Sequence, residues 1–213
     1  MRTTRKVLAA TATALGLLTV QSAEAQRRRG LEDVTPAPRH GFWLSGGLAA
    51  GSENVRFSNE PGGYGEENVQ PAFWFALGGT VNPHLRLGGE VNGWVWDHHD
   101  LDTGYQVTDY LAAVLLTGQF YPADRLGLFL KGGVGLSRSG TSISGGSGVG
   151  ENGFAYLVGA GYDIRLGRTV FLTPLVNLMY HRSNPDPNDP GGLGTMHERV
   201  FTIGVGITFQ PGR

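Results

Sequence analysis

The sequence predicts an all-β protein, an eight-stranded antiparallel up-and-down β-barrel that spans a membrane and is preceded by a cleavable signal peptide. Three observations predict it: segments of alternating hydrophobicity, an export signal at the N-terminus, and connections that alternate between short and long. The clearest alternating segment is 201–209, where Phe, Ile and Val occupy one set of alternate positions and Thr and Gly the other. Because successive side chains of a strand point to opposite faces, this strand has one apolar face and one small, polar face.

The first 25 residues have the three parts of a secretory signal peptide. Arg2, Arg5 and Lys6 supply positive charge, residues 7–20 form an apolar core, and Ala23-Glu24-Ala25 is a small-x-small cleavage pattern. Residues 26–39, with their three consecutive arginines and two prolines, are interpreted as a flexible periplasmic leader. We therefore assign 1–25 to the signal peptide, 26–39 to the leader and 40–213 to the barrel domain.

Composition excludes several classes of protein. Hydrophobic residues make up 40% of the chain, yet after the signal peptide they fall in short alternating runs rather than in the 18 or so apolar residues of a membrane helix. Cysteine is absent, which excludes a disulfide scaffold and thiolate chemistry. The formal net charge of −1, without a basic stripe, gives no basis for nucleic-acid binding. No cofactor is predicted.

Eight segments carry the strand pattern. They lie near residues 40–50, 70–80, 84–96, 106–121, 126–137, 153–165, 169–181 and 198–210. The fourth is uniformly apolar over 111–116, so its facing stays open. The connections alternate in length: 81–83, 122–125 and 166–168 are short, whereas 51–69, 97–105, 138–152 and 182–196 are long. This alternation is typical of outer-membrane barrels, with short turns and both termini on the periplasmic rim.

Charged residues decide which face points to the membrane. A soluble barrel of the lipocalin type would place its apolar residues inside. Here the alternate face carries charges, each of which would cost about 2–4 kcal/mol at the middle of a bilayer, so they are expected to face the lumen. We predict that they form an ion-pair network that plugs the lumen and fixes strand register; the alternative is wetted charges without specific pairs. The residues are Arg86, Glu90, Lys131, Asp163 and Arg165.

Two further residue types fit this arrangement. Glycines on the inward face suit a narrow lumen that larger side chains would overfill, and an eight-stranded interior is too narrow for a pore that passes large solutes. Aromatic residues near strand ends are typical of girdles at the membrane surfaces. The girdle candidates are Phe42, Trp96, Tyr110, Phe120, Tyr121, Tyr162, Tyr180 and Phe209.

Taken together, these features resemble the small outer-membrane β-barrel proteins of the OmpA/OmpX type, and segments 87–94 and 130–136 resemble the outer membrane beta-barrel domain group. The resemblance implies location in the bacterial outer membrane, contact with outer-membrane lipid and lipopolysaccharide, and recognition by the barrel-assembly machinery during biogenesis. It leaves open which extracellular ligand, if any, the long loops meet. Members of the family usually end on an aromatic residue, whereas Phe209 is followed by four more residues.

One short motif introduces an enzymatic alternative. His181-Arg182-Ser183-Asn184 resembles the His-x-Ser-Asn motif of outer-membrane lipid A deacylases, in which His and Ser form a hydrolytic pair oriented by an acid. His181 and Ser183 share one face of a strand, and a hairpin across 182–196 brings Glu198 close to His181. That face is the lumen, whereas a deacylase should present its pair to the lipid. The alternative is a polar strand end that runs into a Pro/Asp/Asn loop.

No metal site is predicted. Asp97-His98-His99-Asp100 contains metal-ligating residue types, but adjacent strand residues point in opposite directions. The expected function is therefore structural or surface-interacting rather than enzymatic, with long extracellular loops on a plugged barrel. The alternatives are a lipid A deacylase that uses His181, Ser183 and the candidate acid Glu198, and a narrow channel.

Overall fold

The computed structural model describes residues 39–57, 68–99, 105–124, 126–144, 146, 148–183 and 195–211. No helix in these ranges is long and apolar enough to cross a membrane. The structure consists of strands, which are β1 (Gly41–Phe57), β2 (Asn68–Asn82), β3 (Leu85–His99), β4 (Gln106–Phe120), β5 (Leu128–Ile143), β6 (Val149–Tyr162), β7 (Ile164–Arg165), β8 (Val170–Ser183) and β9 (Met196–Phe209).

The strands form one closed antiparallel sheet. Sequential neighbours pair from β1 to β6, β6 pairs with β8, β8 with β9, and β9 returns to β1. The two-residue β7 pairs only with β8, and it extends the wall at the short-turn rim. The result is an eight-stranded antiparallel barrel, which confirms the predicted fold. Closure leaves every long strand with a neighbour on both sides, as strands in hydrocarbon require.

The register determines the tilt of the strands. A row of hydrogen-bonded partners that starts at Arg56 of β1 and goes once around the barrel returns to β1 at Gly46, ten residues nearer the short-turn rim. Each step to the next strand along this row therefore descends by about 1.25 residues, as expected for strands tilted by about 35–45°. The row runs through His197, Arg182, Phe154, Leu136, Val114, Val91 and Phe75.

Alternate residues separate into an outward apolar face and an inward face, as predicted. On β4, whose facing was open, Leu111 and Leu115 are buried in the lumen, while Val114 and Leu116 are 63% and 69% exposed on the outside. When the tilt of the strands is taken into account, the outward aromatic residues Phe42 and Phe154 are separated in height by about ten residues, or about 25 Å. This separation equals the height of the apolar band of an outer-membrane barrel.

The strands extend further toward the long-loop rim than predicted. The predicted loop over 138–152 is wrong, because β5 continues to Ile143 and β6 already begins at Val149. In this extension of β5 and β6, small and polar residues such as Gly140 and Gly150 are paired through backbone hydrogen bonds. These bonds form without apolar side chains, so the strands continue past the alternating segments. Conversely, β6 ends at Tyr162 rather than at residue 165. Just after this end, the Asp163 amide donates a hydrogen bond to the Gly127 carbonyl. The assigned signal peptide and leader up to residue 38 lie outside the described residues.

Candidate functional site, the barrel lumen

The lumen contains three layers of side chains. A polar group near the short-turn rim, here called the short-turn cluster, comprises Arg86, Tyr121, Asp163, Thr173 and Gln210. A middle apolar layer separates it from a second polar group, the long-loop cluster, which comprises Ser137, His181, Ser183 and Glu198. The separate pair Glu90 and Lys131 lies between the short-turn cluster and the apolar layer.

Arg86 is the centre of the short-turn cluster. It extends from β3, and its side chain is 2% exposed. Its Nη1 donates to the Tyr121 hydroxyl at 2.5 Å and lies 3.2 Å from Asp163 Oδ2, while its Nη2 donates to Gln210 Oε1. These partners follow β4, β6 and β9, so one guanidinium joins separate walls of the barrel.

Asp163 has hydrogen-bond donors on both carboxylate oxygens. Tyr121 Oη donates to Oδ2 at 2.8 Å, and Thr173 Oγ1 donates to Oδ1 at 2.9 Å. A buried charge is tolerated when it is paired and its remaining lone pairs are satisfied. The Asp163 carboxylate meets both conditions, whereas Nε of the buried Arg86 has no hydrogen-bond partner among the described residues, so this end of the lumen is closed by a paired network with one unsatisfied donor.

Lys131 and Glu90 form a second buried pair. Lys131 Nζ lies 2.8 and 3.1 Å from the two Glu90 carboxylate oxygens, and both side chains are at most 1% exposed. Asn92 Nδ2 donates to Glu90 Oε1 at 2.9 Å. Of the five charged residues singled out in the sequence, four are thus placed in two ion pairs. The fifth, Arg165, is half-buried in β7 and donates from Nε to the Gly167 carbonyl at 2.9 Å.

The middle layer consists of packed apolar side chains from many strands. Trp94 is 1% exposed, and its indole Nε1 donates to the Gly51 carbonyl at 3.3 Å. A cavity of about 10 Å³ borders this layer, room for about one water molecule. The buried members of the layer are Ala72, Trp94, Leu111, Ala113, Leu115, Ala155, Leu157, Met179 and Val200.

Inward glycines provide the space for the large side chains. A Cβ added at Gly51 would lie 2.6 Å from Trp94 Cδ1, and one added at Gly161 would lie 2.4 Å from Phe129 Cζ. Side chains therefore already fill the volume above these glycines. The interior is packed as a core rather than left open as a channel lining.

The long-loop cluster contains the three candidate catalytic residues. His181, Ser183 and Glu198 are all 0% exposed and lie on the inward face, and the β8–β9 register places His181 opposite Glu198. The hydrogen bonds differ from those of a hydrolytic pair. His181 Nδ1 lies 2.6 Å from Ser137 Oγ, and Ser183 Oγ accepts from the Met196 amide at 3.2 Å. The other imidazole nitrogen has no hydrogen-bond partner in the part of the chain that the structure describes.

Sequence reasoning missed several members of these clusters. It placed Tyr121 and Trp96 in the aromatic girdles, which is wrong: Tyr121 is 0% exposed in the short-turn cluster, and Trp96 points inward, where it stacks on His98 with centroids 3.9 Å apart. The inward direction of Trp96 could have been predicted from the sequence, because alternate residues of a strand share a face and Trp96 therefore lies on the same face as Trp94. Ser137 also shares a face with Lys131, but nothing in its spacing indicated His181 as its partner.

The N-terminal edge of the barrel contacts the same cluster. The Arg39 guanidinium lies over the Tyr121 ring, 3.8 Å from its centroid, and donates to the Leu126 carbonyl. Gln210 Nε2 donates to the His40 carbonyl at 3.1 Å. Residues from both ends of the barrel segment therefore cover the short-turn cluster.

Comparison with known structures supports this architecture. Ail, the attachment invasion locus protein of Yersinia pestis, solved in complex with the heparin analogue sucrose octasulfate, aligns with a TM-score of 0.55 at 12% identity, covering 79% of this chain and 99% of Ail. Neisserial surface protein A aligns with a TM-score of 0.50 at 15% identity, covering 80% of this chain and 97% of that protein. At these identities the likeness shows the fold alone.

Sequence comparison identifies the family. No curated protein matches the chain in sequence. The family model described as outer membrane protein beta-barrel domain matches residues 10–209. With the closed eight-stranded barrel and its outward apolar band, this match shows that the chain belongs to the outer membrane protein β-barrel domain family and is a protein of the bacterial outer membrane.

Proposed function

We propose that the protein is a closed barrel with a structural and surface-interacting role, which supports long extracellular loops and conducts no solutes through its lumen. The observation that carries the proposal is the packed apolar layer around Trp94, with a buried ion-paired network on its short-turn side. Water and ions would have to displace well-packed side chains and break buried charge pairs, and neither is favourable in a narrow, low-dielectric interior.

The surface role rests on the two longest connections between strands, which both lie on the long-loop rim. On the short-turn rim, β2 and β3 are separated by only two residues and β4 and β5 by seven. On the other rim, ten residues separate β1 from β2 and twelve separate β8 from β9, whereas β3 and β4 are separated by six and β5 and β6 by five. Long loops on a rigid barrel are the usual place for binding residues.

A matched pair of proteins separates the structural role from the surface role. One is the full chain, and the other has residues 58–67 and 184–194 replaced by short Gly/Ser linkers. In a deletion strain, both should restore resistance of the envelope to detergent if the barrel itself supports the membrane. Only the full chain should restore adhesion to surfaces. If the trimmed barrel restored adhesion as well as the full chain does, the loops would not carry the surface role.

The second candidate is a lipid A deacylase that uses His181 and Ser183. We place it second because both side chains are fully buried in the lumen, while an acyl chain of the membrane would approach from the outside. His181 is also hydrogen-bonded to Ser137 rather than to Ser183. A narrow channel is the third candidate, and the apolar layer argues against it.

A further inference from the structure

Near the long-loop rim, the outward face of the wall carries arginines, while most of the acidic side chains lie on the inward face. Four acidic residues at this end point into the lumen, namely Glu53, Asp109, Glu151 and Glu198, whereas Asp97 of β3 points outward. The arginines of β1, β5, β8 and β9 at this end point outward; they are Arg56, Arg138, Arg182 and Arg199. The facing follows from strict alternation with buried neighbours, as on β8, where His181 and Ser183 are 0% exposed on either side of the exposed Arg182.

Three of these arginines lie at one height. A row of hydrogen-bonded partners descends by about 1.25 residues at each step from one strand to the next. When this descent is taken into account, Arg138, Arg182 and Arg199 lie within about one residue of each other in height along the barrel axis. They occupy β5, β8 and β9, and β6 is the one strand between β5 and β8. With strands about 4.8 Å apart and tilted by about 35–45°, the three steps from β5 to β9 span about 18–20 Å of the circumference.

This arginine row lies directly above the apolar band. The outward residues immediately below it are apolar and exposed, namely Leu136 at 65%, Phe154 at 53% and Phe201 at 43%. The row therefore coincides with the outer surface of the hydrocarbon, where lipid headgroups begin. On the opposite wall, the outward residues of β3 near this height are Val95 and, about one residue above the row, Asp97, which accepts a hydrogen bond from Thr108 Oγ1 at 2.6 Å. The positive charge is confined to one side of the barrel.

Two side chains of the row are exposed at the membrane surface. Arg138 and Arg182 are exposed, and Arg199 is half-buried. The guanidinium of Arg138 lies across Gly150 of β6, where an added Cβ would be 3.2 Å from both its Nε and its Nη2. Arg138 thus lies along the wall over β6, the strand next to β8, instead of extending into solvent.

We propose that Arg138, Arg182 and Arg199 form a binding site for the phosphate groups of the glycolipid in the outer leaflet. Planar guanidinium groups bind phosphate oxygens through paired, charge-assisted hydrogen bonds, and such bonds strengthen at the edge of a low-dielectric region. Acyl chains of the same lipid would lie against Leu136, Phe154 and Phe201 below. The site is on the outer wall, so it depends on the membrane location and not on the proposed closure of the lumen.

The test compares two forms of one lipid. The folded barrel in zwitterionic detergent is titrated with lipid A that bears two phosphates, and separately with the same lipid after its phosphates have been removed. Bound lipid is counted by native mass spectrometry. The double variant Arg138→Gln/Arg182→Gln is compared with the control Arg168→Gln, an exposed arginine between β7 and β8 on the opposite rim. The shift between folded and heat-unfolded bands on SDS gels verifies that each variant is folded.

The wild-type protein and Arg168→Gln should bind the phosphorylated lipid at least about tenfold more tightly than the dephosphorylated lipid, as expected for two or three arginines at a membrane surface. The double variant should bind both lipids equally. Equal binding of the two lipids by the wild-type protein, or an unchanged preference in the double variant, would overturn the site. Inorganic pyrophosphate at matched concentration should not compete; full competition would identify a free-anion site and overturn its assignment to lipid.

Discussion

Lys131 on β5 and Glu90 on β3 form a buried ion pair across the intervening strand β4, with Lys131 Nζ 2.8 Å from one Glu90 oxygen and 3.1 Å from the other. The two strands share no backbone ladder, so the side chains alone connect them. The pair therefore links non-adjacent positions in the wall. The pair also buries one positive and one negative charge, and each charge would be strongly unfavourable in the lumen without the other.

Breaking this pair on one side should be costly. Lys131→Met leaves the Glu90 carboxylate buried without its cation, and the free energy of unfolding should fall by about 3–5 kcal/mol. The double variant Lys131→Met/Glu90→Gln removes both charges and keeps an oxygen that accepts from Asn92, so it should recover most of that loss. Urea unfolding of the barrel in lipid vesicles measures both. A double variant that is no more stable than Lys131→Met alone would show that the two residues are not coupled.

The Tyr121 hydroxyl connects Arg86 to Asp163. Tyr121→Phe removes one hydrogen-bond partner from each of these buried charged groups, and it should lower the free energy of unfolding by about 1–3 kcal/mol. Tyr162→Phe is the matched control, because Tyr162 is exposed on the outward face. If both variants lost the same stability in the same urea titration, the buried network would not depend on the Tyr121 hydroxyl.

Inward and outward glycines should respond differently to alanine. Gly51→Ala places a methyl group 2.6 Å from Trp94 Cδ1, and overpacking of this kind costs about 1–3 kcal/mol. Gly89 points outward with nothing within 4 Å of the added atom, so Gly89→Ala should be neutral. Thermal unfolding followed by circular dichroism compares the two. A lumen with spare room beside Trp94 would instead give equal melting temperatures.

Lipid A from cells that express the protein tests the enzymatic alternative. Because His181 and Ser183 are buried on the inward face, the acylation of lipid A should be the same with the wild-type protein, with Ser183→Ala and without the protein. Mass spectrometry of extracted lipid A measures acyl-chain number directly. Loss of an acyl chain with the wild-type protein but not with Ser183→Ala would identify the protein as a deacylase.

The sequence was sufficient for the fold because its signals are local. Within each strand, the alternation of apolar and polar residues indicates which side chains point outward. Where a turn is short, as at residues 83–84 between β2 and β3, the turn also determines the register of the two strands. Strand ends were predicted less well. At Gly140 and Gly150 the ladder continues through residues without β propensity, since the neighbouring strand decides their conformation.

The lumen was only partly predictable for a related reason. Alternation places Arg86 and Asp163 inside the barrel, but which charges pair depends on the shear around the closed sheet. Tyr121 and Gln210 lie just beyond strand ends, where the period of two no longer indicates direction. The contact between Ser137 and His181 joins side chains from β5 and β8, two strands that flank β6, and no single-strand pattern contains it.

Closure of the lumen is the central claim, and planar-bilayer recording of the purified protein tests it most directly. Insertion is verified by the heat-dependent gel shift of protein recovered from the same preparation, and a large general porin serves as the positive control. The wild-type barrel should show no steady conductance above the bare bilayer, because Trp94 and the pairs Arg86–Asp163 and Lys131–Glu90 fill the lumen. A sustained, large conductance from the folded protein would contradict the account.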